Sequence, residues 1–448
     1  MPVELIAPVD VQIELTQECN QACRHCYNFW RPSDFVKKPL KHLSRDELRY
    51  IVQELNLNQV LSITITGGEP FVRRNELFEL LQMIKGIDIR ASINTNFSCV
   101  RINDILKLAK EYSHIPLLVS LLSADAKKHE LLAGVPKGTH AHLIENIKFA
   151  IRHGVSVGIN MVLMRENLRD IRETAYLAKS LGVRTFCATK VLPNPYSRNN
   201  DFLLSAEEVL WSLKELIEIE RILKIPVDIL GCYPKCLLIN TEAYRRFAHR
   251  VCVAGRTTVT IGADGEVRPC SHLSTSYGNI FSESLANIWK KMKGWRNNEF
   301  LPKECRDCPI VVQCTGGCRV NTLTLKLNAM DFYAEPRRLL NVSRDQLFSR
   351  PLPTDVNQFP NKVMVHQSVR FRNEPFGALF FRPDPWTIIL VNQSAAAFLK
   401  EVKEKGTSFT YEEFLGYSGA KNEMESQKVK RLYQKLVRKG ILVPSNET

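Results

Sequence analysis

The 448-residue sequence has no run of eighteen apolar residues, so it offers no segment that would cross a bilayer as a helix. It begins MPVELIAPVD and lacks the basic-then-apolar opening of a signal peptide. Both absences point to a cytoplasmic protein with no membrane partner. Internal repeats and low-complexity tracts are missing as well, which excludes a solenoid or a compositionally biased scaffold. Acidic residues are outnumbered, 47 against 61 Lys and Arg, for a net charge of +14. That balance favours an anionic partner, such as nucleic acid, an acidic peptide or a nucleotide-like cofactor, without choosing among them. With 44% hydrophobic and 24% charged residues the chain is globular in composition, and its length calls for two or three domains.

Cysteine is what the chain has in plenty: thirteen in all. In a reducing compartment so many thiols indicate metal or redox chemistry and not disulfides. Cys99 and Cys187 stand alone and read as small buried hydrophobes. The others lie in ECNQACRHCY (18–27), in GCYPKC (231–236) and in a field from Cys252 to Cys318.

From residue 10 to about 192, short apolar runs alternate with amphipathic stretches. VQIEL (11–15), SITIT (62–66), IRASI (89–93), PLLVSLL (116–122), VSVGINMVLM (155–164) and RTFCATKVL (184–192) read as strands. Helical patterns separate them, among them SRDELRYIVQELN (44–56), with Ser44 as N-cap and Glu47 completing a capping box. Six such units predict a parallel α/β domain, either a partial barrel or an open sheet. The special residues follow the strands: Cys19, the run TGGEP (66–70), Asn94 and Asn96, and Ser123 with Asp125. The C-terminal rim of a parallel barrel is where active sites form, so one composite site is expected there.

A structural zinc site wants four closed ligands. Cys19, Cys23 and Cys26, spaced C-x3-C-x2-C, instead suit a [4Fe–4S] cluster with one iron free to chelate an amine and a carboxylate. A zinc site completed from elsewhere is the competing reading. The cysteine loop after the first strand, with GGEP (67–70) after the second, resembles the radical S-adenosylmethionine (radical SAM) superfamily. The resemblance implies a partial (β/α)6 TIM-type barrel, S-adenosylmethionine and its reductive cleavage to a 5′-deoxyadenosyl radical. It also implies that Gly67, Gly68 and Glu69 hold the methionyl amine, that Asn94 and Asn96 lean toward the ribose, and that Ser120 lies near the methionyl carboxylate. Relatives often carry arginine where this chain has Ala133, so Arg165 is a substitute partner for that carboxylate.

The later field, Cys252-x12-Gly265-x4-Cys270 and Cys305-x2-Cys308-x5-Cys314-x3-Cys318, resembles the SPASM extension of those enzymes, which carries auxiliary iron–sulfur clusters. By that resemblance Cys252, Cys270 and Cys318 serve one auxiliary cluster and Cys305, Cys308 and Cys314 the other. The family's last cysteine is missing, since none follows Cys318. The second cluster would then take an oxygen from Asp331 or Glu335 or keep an open iron, while Cys232 or Cys236 would complete the first. Zinc knuckles are the competing reading of this field. His272 is expected to be a neighbour of the cluster and not the general base.

Residues 335–361 carry four prolines and read as a linker. Beyond it KVMVHQSVRFR, GALFFRP and WTIILVN read as three strands, followed by three short helices and a closing ILVP. This small α+β, winged-helix-like stretch resembles a PqqD-like domain, which binds the leader of a ribosomally made precursor peptide. Residues 360–448 hold 14 Lys and Arg against 9 Asp and Glu, suiting an acidic leader. A DNA-reading winged helix is the competing reading, and nucleic acid is not the expected partner.

The expected organisation is therefore a radical SAM barrel (1–230), a SPASM domain (231–334), a linker (335–361) and a peptide-recognition domain (362–448). The expected function is maturation of a precursor peptide by hydrogen abstraction, closing a thioether, carbon–carbon or carbon–oxygen crosslink, with a flavodoxin- or ferredoxin-type electron donor. Oxidation of Cys or Ser to formylglycine in a sulfatase, and a zinc-stabilised DNA-binding protein, are the alternatives.

Overall fold

Six strands form where the β-branched runs stand, each followed by a helix: β1 (Asp10–Glu14), β2 (Ser62–Thr66), β3 (Arg90–Thr95), β4 (Leu117–Ser120), β5 (Val157–Leu163) and β6 (Thr185–Lys190). In the computed structural model, which describes all residues except 1–3, 31–38, 194–200, 239–241, 323–325, 327, 336–359, 384–386 and 446–448, each pairs in parallel with the next. A short β7 (Val227–Asp228) extends the row beyond β6. The strand order follows the chain without reversing, which is barrel winding and not the switch-point order of a doubly wound sheet. The row ends at unjoined edges, so the barrel is partial.

The helices sit where capping and periodicity place them. Ser44 donates its N–H to Glu47 Oε2 at 2.7 Å and its hydroxyl accepts from the Glu47 N–H, so the capping box opens the helix Arg45–Leu57. That helix buries Leu48, Ile51, Val52 and Leu55, one face at 3.6-residue spacing.

The cysteine-rich region is not a separate layer. Its first hairpin, β8 (Thr258–Ile261) and β9 (Val267–Arg268), continues the barrel's sheet, with β8 parallel to β1 from Asp10↔Thr258 to Ile13↔Ile261. All four β8 residues are buried. A region poor in periodic elements thus borrows the barrel's core. The join is fixed by an ion pair between Glu14 and Arg268, both essentially unexposed, with the guanidinium 4.6 Å from the ring centre of Phe29. Burial pushes Glu14 up to about 8 against the pull of Arg268.

Contacts divide the chain into Ala7–Leu347 and a second unit of Phe348–Thr448 with Met1–Ile6. The expected linker falls almost wholly outside the described residues. In the second unit the stretch 362–372 is two strands where one was expected: β10 (Val363–Val365) and β11 (Arg370–Glu374). A turn parts them, with the Val369 N–H donating to His366 O at 2.9 Å and the Ser368 N–H to His366 Nδ1 at 3.1 Å. β11 pairs antiparallel with β12 (Gly377–Arg382), which pairs with β13 (Thr387–Asn392); β10 pairs with β14 (Leu442–Pro444). Helices Gln393–Lys405, Tyr411–Ser418 and Glu423–Arg438 cover a core that includes Phe380, Ile389, Leu399, Phe414, Tyr433 and Leu436. Among the described residues no helix is long and apolar enough to cross a membrane.

Candidate metal centres

After β1 the chain turns over the C-terminal rim and presents Cys19, Cys23 and Cys26, all half-buried. Two neighbours hold this loop by its backbone. Ala22 and Arg24 donate to the carbonyls of Ala133 and Leu132 at 3.0 Å each. On the other flank Gly68 donates to Thr16 O at 2.6 Å and Glu69 to Glu18 O at 2.7 Å. The contact requires glycine: a Cβ on Gly68 would lie 1.9 Å from Glu18 O, and one on Gly67 (φ +129°) 2.5 Å from Thr16 O. GGEP is therefore pressed directly against the cysteine loop.

Glu69 is buried, and its carboxylate faces β3. It accepts from the Thr95 hydroxyl at 2.7 Å, the Phe71 N–H at 3.1 Å and the Asn96 N–H at 2.7 Å. Burial pushes it up to about 7 against those bonds. Asn96 in turn reaches the loop, donating to Asn20 Oδ1 at 2.8 Å and lying 3.9 Å from Cys19 Sγ. Its Oδ1 accepts from the N–H and hydroxyl of Ser98, whose oxygen accepts from Asn20 at 2.8 Å and Gln21 at 3.2 Å. Cys23 Sγ donates to Gln21 Oε1 at 3.2 Å. Sequence reasoning missed Asn20, Gln21 and Ser98; the signal was the crowding of amides in ECNQAC and NTNFS. Asn94 and Ser120 are half-buried near the ends of β3 and β4. Arg165 is exposed and faces Glu208 at 3.8 Å. Ser123 and Asp125 serve the helix Ala126–Ala133, Ser123 bonding Asp170 at 2.7 Å and Asp125 capping the N-terminus.

The later cysteines gather in two groups of four. Cys232 lies within hydrogen-bonding reach of Cys252 and Cys318, and Cys270 feels the charge of the same two. Cys236, Cys305, Cys308 and Cys314 line one small cavity together with apolar groups such as Ile310, Val311 and Ala334. Burial pushes the Cys236 and Cys270 thiols up to about 12 and Cys305 up to about 11. Hydrogen bonding with Cys232 instead pulls Cys252 down to about 6 and lowers Cys318. A metal group binds such sulfurs as thiolates and releases the protons they still carry. Backbone donors already point at sulfur: Lys235 N–H at Cys314 Sγ and Glu335 N–H at Cys236 Sγ, both 3.2 Å. Such bonds suit thiolates that carry cluster charge. Among the described residues no three His, Cys, Asp or Glu side chains converge on a single ion. Sulfur ligands met by backbone N–H donors are a donor set that iron–sulfur clusters fit.

Of the two expected oxygen ligands, Glu335 is exposed and Asp331 is otherwise engaged. Asp331 is fully buried, accepting from Asn321 at 2.7 Å, from the Tyr333 N–H at 3.0 Å and from the Cys318 N–H at 2.8 Å. Its carboxylate pins the backbone at Cys318, in the first group, while the fourth sulfur of the second group comes from Cys236.

Two side chains lie near these groups, His272 half-buried and Lys190 buried. The His272 ring stacks on Tyr27, centroids 4.0 Å apart, with Nδ1 3.7 Å from Cys270 Sγ. The residue after Cys26 thus touches the surroundings of Cys270. Burial, Lys190 and Arg268 push His272 down to about 4, so it stays neutral. Lys190, at the end of β6, is 1% exposed, and its ammonium has no hydrogen-bond partner among the described residues. It lies 5.2 Å from the ring centres of both Tyr233 and Tyr333. Sequence reasoning missed it, although a charge closing an apolar barrel strand was the available signal.

Residues 13–178 match the radical SAM superfamily, and residues 252–309 match SPASM, an iron–sulfur cluster-binding domain. The antilisterial bacteriocin subtilosin biosynthesis protein AlbA of Bacillus subtilis is 28% identical over 331 residues, 71% of this chain and 69% of that protein. An AdoMet-dependent heme synthase of Oleidesulfovibrio alaskensis is 23% identical over 329 residues, 70% of this chain and 82% of that one. Among solved structures, Streptococcus suis SuiB bound to precursor peptide SuiA shares the fold, with a TM-score of 0.59 at 20% identity over 70% of this chain and 72% of that one. These matches fit S-adenosylmethionine, a [4Fe–4S] cluster and auxiliary clusters as the cofactors.

Proposed function

We propose that this chain, a radical SAM enzyme with a SPASM extension, is a maturase that closes a thioether, carbon–carbon or carbon–oxygen crosslink in a ribosomally made peptide. One observation carries the reading: an open three-thiol loop pressed against GGEP shares a chain with two four-cysteine groups and a separate α+β unit.

When bound by Cys19, Cys23 and Cys26, a [4Fe–4S] cluster supplies the electron that splits S-adenosylmethionine into methionine and a 5′-deoxyadenosyl radical. The protein's part is binding, orientation and exclusion of water. Carbonyls of the Gly67–Gly68 turn hold the methionyl amine, while Glu69 fixes that turn to the end of β3. Asn94 and Ser120 serve the ribose and the methionyl carboxylate. Asn96 is assigned a double task, ribose contact and brace for the loop. Arg165, exposed beside Glu208, is assigned no part in holding the carboxylate. Buried Lys190 and the Tyr27–His272 stack keep water from the side facing Cys270.

The unit 362–448 is the proposed leader-binding, PqqD-like domain. β11 and β13 are edge strands of its three-stranded sheet, and Leu390 on β13 is 44% exposed. An extended peptide adds to such an edge through main-chain hydrogen bonds. Exposed Lys428, Lys430, Arg431, Lys435 and Arg438 on the last helix favour an acidic leader. A flavodoxin- or ferredoxin-type donor and a cytoplasmic setting, where thirteen cysteines stay reduced, complete the reading.

The test is anaerobic reconstitution with S-adenosylmethionine and dithionite, read as 5′-deoxyadenosine, then addition of a short peptide encoded beside this gene. The expected result is nucleoside formation that requires Cys19, Cys23 and Cys26, and a peptide lighter by two hydrogens. Deleting 362–448 should abolish peptide modification and spare basal cleavage. Peptide modification that survives the deletion would overturn the leader role; a tetrapyrrole substrate turned over in place of the peptide would overturn the maturase.

A further inference from the structure

The sequence leaves the second auxiliary group one cysteine short, since none follows Cys318. The structure fills the ring from the opposite direction along the chain. Cys236 lies in the short helix Lys235–Leu238, is buried, and shares one cavity with Cys305, Cys308 and Cys314. Cys232, three residues' separation upstream, stands instead with Cys252 and Cys318. Cys314 and Cys318 show the same spacing in the reverse sense, the first in one group and the second in the other.

Two C-x3-C segments therefore run between the groups, and they touch: the Lys235 N–H within one donates to Cys314 Sγ at the start of the other. Tyr233 and Pro234 fix the middle of the upstream segment. Tyr233 is 1% exposed against Lys190, and Pro234 lines the cavity of the second group. Cys187 shows what a merely structural cysteine looks like here: it is buried within β6 and stands in neither group.

We infer that Cys232–Cys236 is a strap shared by both auxiliary clusters, in which Cys232 completes the first and Cys236 supplies the thiolate missing from the second. The inference rests on the iron–sulfur reading above. It makes the two clusters covalent neighbours through two short segments, so removing one thiol from the strap should remove one cluster and leave the other.

The experiment uses the full chain with Cys19, Cys23 and Cys26 changed to Ala, so that only auxiliary clusters remain. Iron, acid-labile sulfide and the electron paramagnetic resonance spectrum of the reduced protein are the readouts; none depends on turnover. Adding Cys236→Ala should lower iron and sulfide by about half and delete one of two signals. Cys232→Ala should delete the other signal, and Cys187→Ala should change neither. Cys236→Ser covers the case in which the alanine variant fails to fold: a hydroxyl ligand should keep the iron but shift that cluster's spectrum and potential. Full iron with an unchanged spectrum in the Cys236 variants overturns the strap. A parent that binds no iron and sulfide overturns the iron–sulfur reading and the strap together, which separates the two failures.

Discussion

The cysteines of the 19–26 loop and those of the 232–318 field use the same side chain in opposite surroundings. The first three are half-buried and braced by amides and a hydroxyl from Asn20, Gln21, Asn96 and Ser98. The second group of four encloses an apolar cavity, and three of its members are buried. Three donors in a polar, accessible loop leave room for a reacting molecule; four in a dry cage leave none. On the proposed reading the difference separates a site for chemistry from sites that store or pass electrons. The strongest way to break this division is the Cys19, Cys23 and Cys26 triple alanine. It should reduce 5′-deoxyadenosine to background while both auxiliary signals persist. Loss of the auxiliary signals with it would show that the two regions assemble as one.

Gly68→Ala is the next test, because it disturbs the loop without touching a sulfur. Its Cβ would meet the Glu18 carbonyl carbon and oxygen, backbone that a side-chain rotation cannot clear. Forcing that contact apart costs about 1–3 kcal/mol, and cleavage of S-adenosylmethionine should fall roughly ten- to a hundred-fold by the transition-state relation. Auxiliary iron should be unchanged, measured on the same sample. A variant with full cleavage would mean that GGEP is not held against the loop in solution.

Much of the barrel was legible because it is local. The Ser44–Glu47 box and the left-handed Gly182 closing the helix Ile171–Leu181 each lie within a few residues of the element they set. What was hidden is long-range. Glu14 read only as part of a strand, yet its partner Arg268 lies 254 residues on and joins β9 to the sheet. No periodicity could assign Cys232 and Cys236 to different groups, since their partners lie up to 86 residues downstream in a turn-rich region. The 362–372 stretch looked continuous because a turn made by His366 and Ser368 lacks the glycine or proline that announces most turns.

Lys190 sharpens the comparison from the auxiliary side. Its charge acts on Cys318, Asp331 and His272, and its ammonium is buried without a hydrogen-bond partner among the described residues. A positive charge there favours the reduced, more negative cluster. Lys190→Met keeps the length and removes the charge, so the potential of the first auxiliary cluster should become more negative by on the order of tens of millivolts. The melting temperature should hold or rise, because an unpaired buried ammonium is costly. An unchanged potential would leave Lys190 a packing residue.

The smallest effect belongs to Ser98, at the centre of the brace. Its oxygen accepts from Asn20 and Gln21 and donates to Asn96, so Ser98→Ala leaves three amides short of a partner without moving a sulfur. The loss is on the order of 1–3 kcal/mol, local to the loop. Global stability should hardly change. The expected sign is faster loss of the loop's cluster to a chelator, by a few-fold, with the auxiliary clusters released at the parental rate. Equal acceleration at all three centres would show that the polar brace supports the whole domain and not the open site alone. A loop that must admit a substrate has few apolar contacts to hold it, and hydrogen bonds are what remain to keep three thiols in place.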